Sequence, residues 1–388
     1  MRIWRQLANR LVVSMDGPKP LRALAVVFVL ILLVGCQGGG RHESWPGLLA
    51  TDGTLYAANF ERVQALNAET GRAYWSFPAE ETRGVGPFYA TPVLAADQGD
   101  NGILLIAGFD STVYALALGE TPAERPDELW RFTGAGGQYV GAGVVVDDLY
   151  VIGNGDGRVY ALSIEDGSRV WDFTTRDRVW TVPVAVDDTL YVTSLDHRLY
   201  ALDIETGDLQ WQLRTQGAVA TNPVYADGYL WIGDFSSTLY QIDLESREVA
   251  WSFQAEDWLW STPLMNGNVL YFADVGGNVY ALDIENRSMI WDAPVNIGDV
   301  VRGQPALSTD GGLLYVPGYE TGVIRAIDTT TGQLRQTWGA VPENPGRLPG
   351  DLVMNGERLY AMPIMIPVRV RAYVPVTGDL LWAIPEAE

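Results

Sequence analysis

The stretch LYALDIETGDLQWQL, residues 199–213, decides the fold because it recurs at a fixed spacing. Forty residues further on the chain reads LYQIDLESREVAWSF (239–253), and forty beyond that VYALDIENRSMIWDA (279–293). A tryptophan near the end of each unit marks the repeat: Trp75, Trp130, Trp171, Trp211, Trp251, Trp291, Trp338 and Trp382. A period of roughly 40 to 45 residues built from short strands is typical of β-propeller blades.

One unit divides into four short strands separated by Asp and Gly turns. These strands are VPVAV (182–186), LYVTS (190–194), RLYALD (198–203) and DLQWQL (208–213). Eight such units predict an all-β protein, an eight-bladed β-propeller of four-stranded antiparallel blades, over residues 46–388.

The recurring residues of the unit have structural explanations. Glycine falls where the third strand turns into the fourth, at a position that favours positive φ, in Gly71, Gly167, Gly207, Gly332 and Gly378. An aspartate precedes that turn and is expected to accept its backbone N–H groups, in Asp203, Asp243, Asp283 and Asp328. The repeated Trp and Tyr side chains are expected to pack against the neighbouring blade.

The N-terminal residues predict export and lipid attachment. Residues 23–35 form an apolar run of thirteen residues behind basic ones, which suits a signal peptide over residues 1–35 better than a membrane-spanning helix of about 20 residues. LVGC, Leu33–Cys36, resembles a bacterial lipobox, so Cys36 is the predicted lipidation site and residues 37–45 a flexible tether. We expect the protein to be held in the cell envelope: at the outer membrane, facing the periplasm, if the organism has one, and otherwise on the outer face of the cell membrane.

Charge and residue usage disfavour several kinds of chemistry. The chain carries 48 acidic and 26 basic residues, a net charge of −22, which repels nucleic acid and anionic lipid headgroups. Its two histidines, His42 and His197, cannot build a Ser-His-Asp triad or a His-based zinc site. GNGDGR (153–158) resembles a calcium loop, but it falls where each blade has a hairpin turn. We therefore predict no metal, no cofactor and no enzymatic activity.

The segment LYALDIETGDLQW (199–211) resembles the pyrroloquinoline-quinone (PQQ) type repeat, which quinoprotein dehydrogenases share with non-enzymatic propellers. With eight blades and a lipobox, the chain resembles the BamB family, lipoproteins of the outer-membrane β-barrel assembly machinery. That resemblance implies a scaffold that binds a barrel-forming protein and no cofactor. A PQQ- and calcium-dependent dehydrogenase is one alternative, although a single cysteine cannot form the vicinal disulfide typical of those enzymes. A cell-surface sensor or glycan-binding propeller is the other.

The segments that link one outer strand to the next inner strand are the least repetitive part of the chain. They carry aromatic and arginine residues, the types enriched at binding hot spots. The candidate partner-binding residues are Arg83, Tyr139, Arg176, Arg178, Trp180, Trp258, Trp260, Arg302 and Gly303. For Arg302 and Gly303, VVRGQP (300–305) is similar to an Arg-Gly loop through which BamB-type proteins contact their partner. Alternatively, Trp180 and Trp260 line the central core.

Overall fold

The computed structural model describes residues 47–51, 53–79, 85–335, 346–364 and 370–384. The predicted signal peptide, Cys36 and the tether lie outside the described residues. Within the described part of the chain, no helix has the length and apolarity needed to cross a membrane.

The described strands form eight antiparallel sheets that follow one another along the chain. Blade one is built from β1 (Leu48–Ala50), β2 (Thr54–Ala58), β3 (Val63–Asn67) and β4 (Ala73–Phe77), and blade two from β5 (Val93–Ala95), β6 (Ile103–Ala107), β7 (Val113–Ala117) and β8 (Asp127–Phe132). Blade three is built from β9 (Val144–Val146), β10 (Leu149–Gly153), β11 (Arg158–Ser163) and β12 (Arg169–Thr174), and blade four from β13 (Val184–Val186), β14 (Thr189–Ser194), β15 (Arg198–Asp203) and β16 (Leu209–Arg214).

Blade five is built from β17 (Val224–Ala226), β18 (Tyr229–Gly233), β19 (Thr238–Asp243) and β20 (Glu248–Gln254), and blade six from β21 (Leu264–Asn266), β22 (Val269–Ala273), β23 (Asn278–Asp283), β24 (Ser288–Met289) and β25 (Val295–Asn296). Blade seven is built from β26 (Ala306–Leu307), β27 (Leu313–Pro317) and β28 (Ile324–Asp328), and blade eight from β29 (Val353–Asn355), β30 (Arg358–Ala361), β31 (Val370–Tyr373) and β32 (Leu380–Ile384).

The predicted eight-bladed propeller is confirmed, with two local departures. In blade six, β24 and β25 both pair with β23, so the outer strand is split in two. Blade seven has three strands within the described residues, which stop at Arg335 and resume at Gly346.

The hydrophobic core lies between the blades. Eight clusters of buried apolar side chains each join two neighbouring blades, and one of them joins blade eight to blade one. At that last boundary the Tyr360 hydroxyl donates to the Ala68 carbonyl at 2.9 Å. The ring of described strands therefore closes by side-chain packing between complete N- and C-terminal blades, without exchange of a strand.

The repeated Trp and Gly meet across the blade boundaries. The Trp171 indole N–H donates to the Ile204 carbonyl of the next blade at 2.8 Å, and the ring lies flat on Gly207. A Cβ at Gly207 would be 2.6 Å from the indole, so only glycine allows this approach. The same contact joins Trp130 to Gly167 and Trp291 to Gly332.

The predicted turn chemistry is confirmed. All five predicted glycines have φ between 71° and 76°. The Asp203 carboxylate accepts the N–H groups of Glu205 and Thr206, and these bonds to its charged form hold the pKa of Asp203 below its ordinary value. Asp243, Asp283 and Asp328 make the equivalent bonds.

Candidate functional site

The linkers between blades converge at one end of the propeller axis. There they enclose a cavity of about 100 Å³, which we call the axial cavity. Seven consecutive linkers, those that lead into blades two to eight, contribute Tyr89, Gly141, Trp180, Asn222, Trp260, Arg302 and Asp351 to its wall. Trp180 and Trp260 therefore line the centre of the ring, which was the alternative considered for them.

Hydrogen bonds between neighbouring linkers fix the wall of the cavity. The Asn222 side-chain oxygen accepts the Val182 N–H at 2.8 Å, and the Asn222 N–H donates to the Thr262 hydroxyl at 3.2 Å. Further round, the Gln304 N–H donates to the Asp351 carboxylate at 2.7 Å. Desolvation by the surrounding linkers disfavours the charged form of Asp351 and raises its pKa, although the residue keeps exposed surface.

Arg302 is held between two aromatic rings. Its guanidinium carbon lies 5.1 Å from the centre of the Trp260 ring and 4.2 Å from that of Tyr319. Its Nε is buried and has no hydrogen-bond partner, and no carboxylate of the described residues lies within salt-bridge distance of it. Cation–π contacts thus orient the side chain while its charge stays unpaired.

The stack around Arg302 continues to the surface of blades five and six. Phe235, in the β18–β19 hairpin, lies parallel to Trp260, with ring centres 5.0 Å apart, and to Trp258 at 5.5 Å. Trp258 is 51% exposed. We call the series Trp258, Phe235, Trp260, Arg302 and Tyr319 the aromatic–arginine ladder.

A second arginine group lies on the linker into blade four. The Arg178 guanidinium carbon is 5.8 Å from the centre of the Trp180 ring. The Arg176 N–H donates to the Asp196 carboxylate at 2.9 Å, which anchors this linker to the hairpin of blade four. Both arginine side chains are exposed, so they add positive charge to the surface around the axial cavity.

Two predicted contact residues lie in the interior instead of on this surface. Tyr139 is fully buried in the core between blades two and three. Gly303 is buried, and a Cβ there would be 2.1 Å from the Gly350 carbonyl oxygen. Packing in the interior therefore explains why Tyr139 and Gly303 occur at these positions of their linkers. Arg83 lies outside the described residues.

The sequence analysis missed an aspartate that ties the incoming linker to a hairpin in blades two to six. In blade five, Asp234 accepts the Gly217 N–H of the incoming linker at 2.6 Å and the Tyr240 hydroxyl at 2.9 Å. The equivalent Asp–Tyr pairs are Asp110 with Tyr114, Asp156 with Tyr160, Asp196 with Tyr200, and Asp274 with Tyr280. The detectable signal was an Asp four or six residues before the third-strand Tyr of blades two to six, so these tyrosines do more than pack against the next blade.

The residues present do not fit a PQQ–calcium group. Asp156 of the calcium-like stretch 153–158 instead accepts the Tyr160 hydroxyl and the Gly136 and Arg158 N–H groups in the predicted hairpin. No group of three or more His, Cys, Asp or Glu in the described ranges is placed to hold a metal ion. The axial cavity, at about 100 Å³, is smaller than the roughly 300 Å³ or more of cofactor sites.

Eight blades, tryptophan contacts at several blade boundaries and an axial face lined by linkers define a propeller of PQQ-type repeats. A model of the family described as "Outer membrane protein assembly factor BamB" matches residues 110–222 and 214–363, well over half of the chain. The chain belongs to this family. No curated protein matched it.

Solved structures share the fold. The crystal structure of BamB from Moraxella catarrhalis is 20% identical and has a TM-score of 0.62, covering 83% of this chain and 92% of that one. The computationally designed Ika8 protein is 15% identical with a TM-score of 0.66, covering 82% of this chain and 93% of that one. These likenesses concern the fold, since a designed protein matches as well as a natural one.

Proposed function

We propose that this protein is a non-catalytic scaffold of the cell envelope that binds a barrel-forming protein of the outer-membrane assembly machinery. Membership of the BamB family supports the scaffold role. The propeller would act by presentation: the lipid on Cys36 fixes it to the membrane, the tether at residues 37–45 sets its reach, and the rigid ring offers the axial face. Preformed loops lose little entropy on binding.

One observation carries the choice of binding face. Arg302 is the charged member of the aromatic–arginine ladder, oriented by Trp260 and Tyr319, and its charge is unpaired. Arg176 and Arg178 stand exposed on a neighbouring linker, in a chain whose net charge is −22. These arginines favour acidic groups on the partner, and a rigid, partly buried Arg is the type of residue found at hot spots.

Arg302→Glu is expected to weaken capture of the partner by about tenfold or more, because it reverses the charge at the centre of the face. The measurement is affinity capture from detergent-solubilised membranes of the native organism, with the lipidated protein as bait and mass spectrometry as readout. Arg214→Glu, the same charge reversal on the exposed outer strand β16, serves as the matched control and is expected to capture as the wild type does.

A barrel protein recovered by the wild type and the Arg214 variant, and lost with the Arg302 variant, would support both the function and the face. Equal recovery with both variants would exclude Arg302 from the interface. Failure of the wild type to recover any barrel protein would contradict the assembly role itself.

Cys36→Ser is expected to abolish lipid attachment and release the protein from the membrane fraction, because Cys36 is the only cysteine in the chain. Metabolic labelling with a fatty-acid analogue, followed by fractionation of the envelope, measures both effects. Incorporation of label into the serine variant would refute the assignment of the lipid to this residue.

A further inference from the structure

Phe60 occupies a backbone conformation that suits it poorly. It is the first central residue of the β2–β3 hairpin, which the Asn59 N–H closes by donating to the Arg62 carbonyl at 3.0 Å. Its φ is 70°, and 46% of its surface is exposed. This turn position favours Gly, Asn or Asp, and a bulky side chain there is a genuine outlier.

The other residues with positive φ show how unusual this is. Among the described residues, nine that are not glycine have positive φ, and eight of them are polar: Ser111, Asp147, Asp187, His197, Asp227, Ser237, Arg247 and Arg287. Phe60 is the apolar exception. Two backbone hydrogen bonds with Phe88, at 3.0 and 2.7 Å, hold it in place, so the fold imposes the conformation rather than the side chain favouring it.

The ring of Phe60 belongs to the same face as the axial cavity. Its centre lies 5.7 Å from that of Tyr89, which packs in turn on Phe109 at 4.5 Å. Tyr89 is itself part of the cavity wall. An exposed aromatic group at blades one and two therefore stands across the ring from Trp258 at blades five and six, with the linkers of Arg178 and Arg302 between them.

We propose that Phe60 is a binding anchor for the protein partner, kept at an unfavourable backbone position because its ring must be presented there. This rests on the proposed function and adds to it the chemistry of the partner. The occupant is a protein surface with an apolar side chain that packs on Phe60 and acidic groups that face Arg178 and Arg302. Continuity with the cavity wall through Tyr89 and the charge of the two arginines argue for that occupant.

The test separates the backbone from the ring by comparing Phe60→Gly with Phe60→Ala. Glycine tolerates φ of 70° and alanine does not, so the Gly variant is expected to melt about 2 °C or more above the Ala variant, against the usual order of these residues. Both variants lose the ring, and both are expected to bind the purified barrel-forming partner of the same organism about tenfold or more weakly. Phe60→Tyr, which keeps the ring, is expected to bind within about twofold of the wild type.

Ser237→Gly is the control, since Ser237 has φ of 64° in the hairpin of blade five. It is expected to leave affinity unchanged, which separates relief of backbone strain from loss of the ring. If the Gly and Ala variants both bind the partner as tightly as the wild type does, Phe60 is not an anchor, while the proposed function stands. If the wild type does not bind the purified partner, the proposed function fails and the anchor fails with it.

Discussion

Replacing Trp171 by alanine is expected to lower the free energy of unfolding by about 3–5 kcal/mol, the range for loss of a large buried aromatic side chain. Trp171 is 7% exposed, its indole N–H donates to the Ile204 carbonyl, and its ring covers Gly207 of the next blade. The variant leaves a cavity between blades three and four and an unpaired carbonyl beside it. Chemical denaturation followed by far-ultraviolet circular dichroism measures the change.

Trp258→Ala is the matched control, because Trp258 is 51% exposed and stacks on one ring. Its expected cost is about 1 kcal/mol. Gly207→Ala tests the same contact from the other blade, since a Cβ would lie 2.6 Å from the Trp171 indole at φ of 73°. If the Trp171 and Trp258 variants lose the same free energy of unfolding, the contact with the next blade contributes no stability beyond that of an exposed stacked ring.

The architecture could be predicted from sequence because the same local requirements recur in several blades. A glycine such as Gly207 and an aspartate such as Asp203 have their effect within one turn, so their pattern along the chain is sufficient. The eight tryptophans gave the blade count for a similar reason, although their contact with glycine across the blade boundary was not visible in sequence.

The axial face was only partly predictable, because its contacts join residues far apart in the chain. The linkers were identified by their lack of repetition, but no spacing shows that Arg302 would lie between Trp260 and Tyr319. Tyr139 was a candidate contact residue because tyrosine is common at hot spots, but it lies in the core. The positive φ of Phe60 was not predicted, because phenylalanine disfavours that conformation and so gives no sign of it in the sequence.

The hairpin aspartates of blades two to six were the most informative omission, since they connect the repeat to the axial face. Asp234 has no exposed surface and accepts five hydrogen bonds: from the Gly217 N–H at 2.6 Å, the Ser236 hydroxyl at 2.5 Å, the Ser236 N–H and the Tyr240 hydroxyl, both at 2.9 Å, and the Thr238 N–H at 3.2 Å. One carboxylate thus joins the hairpin, the third strand and the linker that leads to Asn222 in the cavity wall. Bonds to a charged acceptor in a buried site are stronger than neutral ones.

Asp234→Ala is therefore expected to lower the free energy of unfolding by about 3–5 kcal/mol, because several buried donors lose their acceptor at once. Asp203→Ala, which removes an aspartate of similar turn chemistry near solvent, is expected to cost much less than Asp234→Ala, since water replaces the lost acceptor. Chemical denaturation of both variants gives the comparison, and hydrogen exchange of the Gly217 amide shows whether the linker has loosened. Similar losses in the two variants, with Gly217 still protected, would mean that packing of the linker and not the buried carboxylate fixes the axial face.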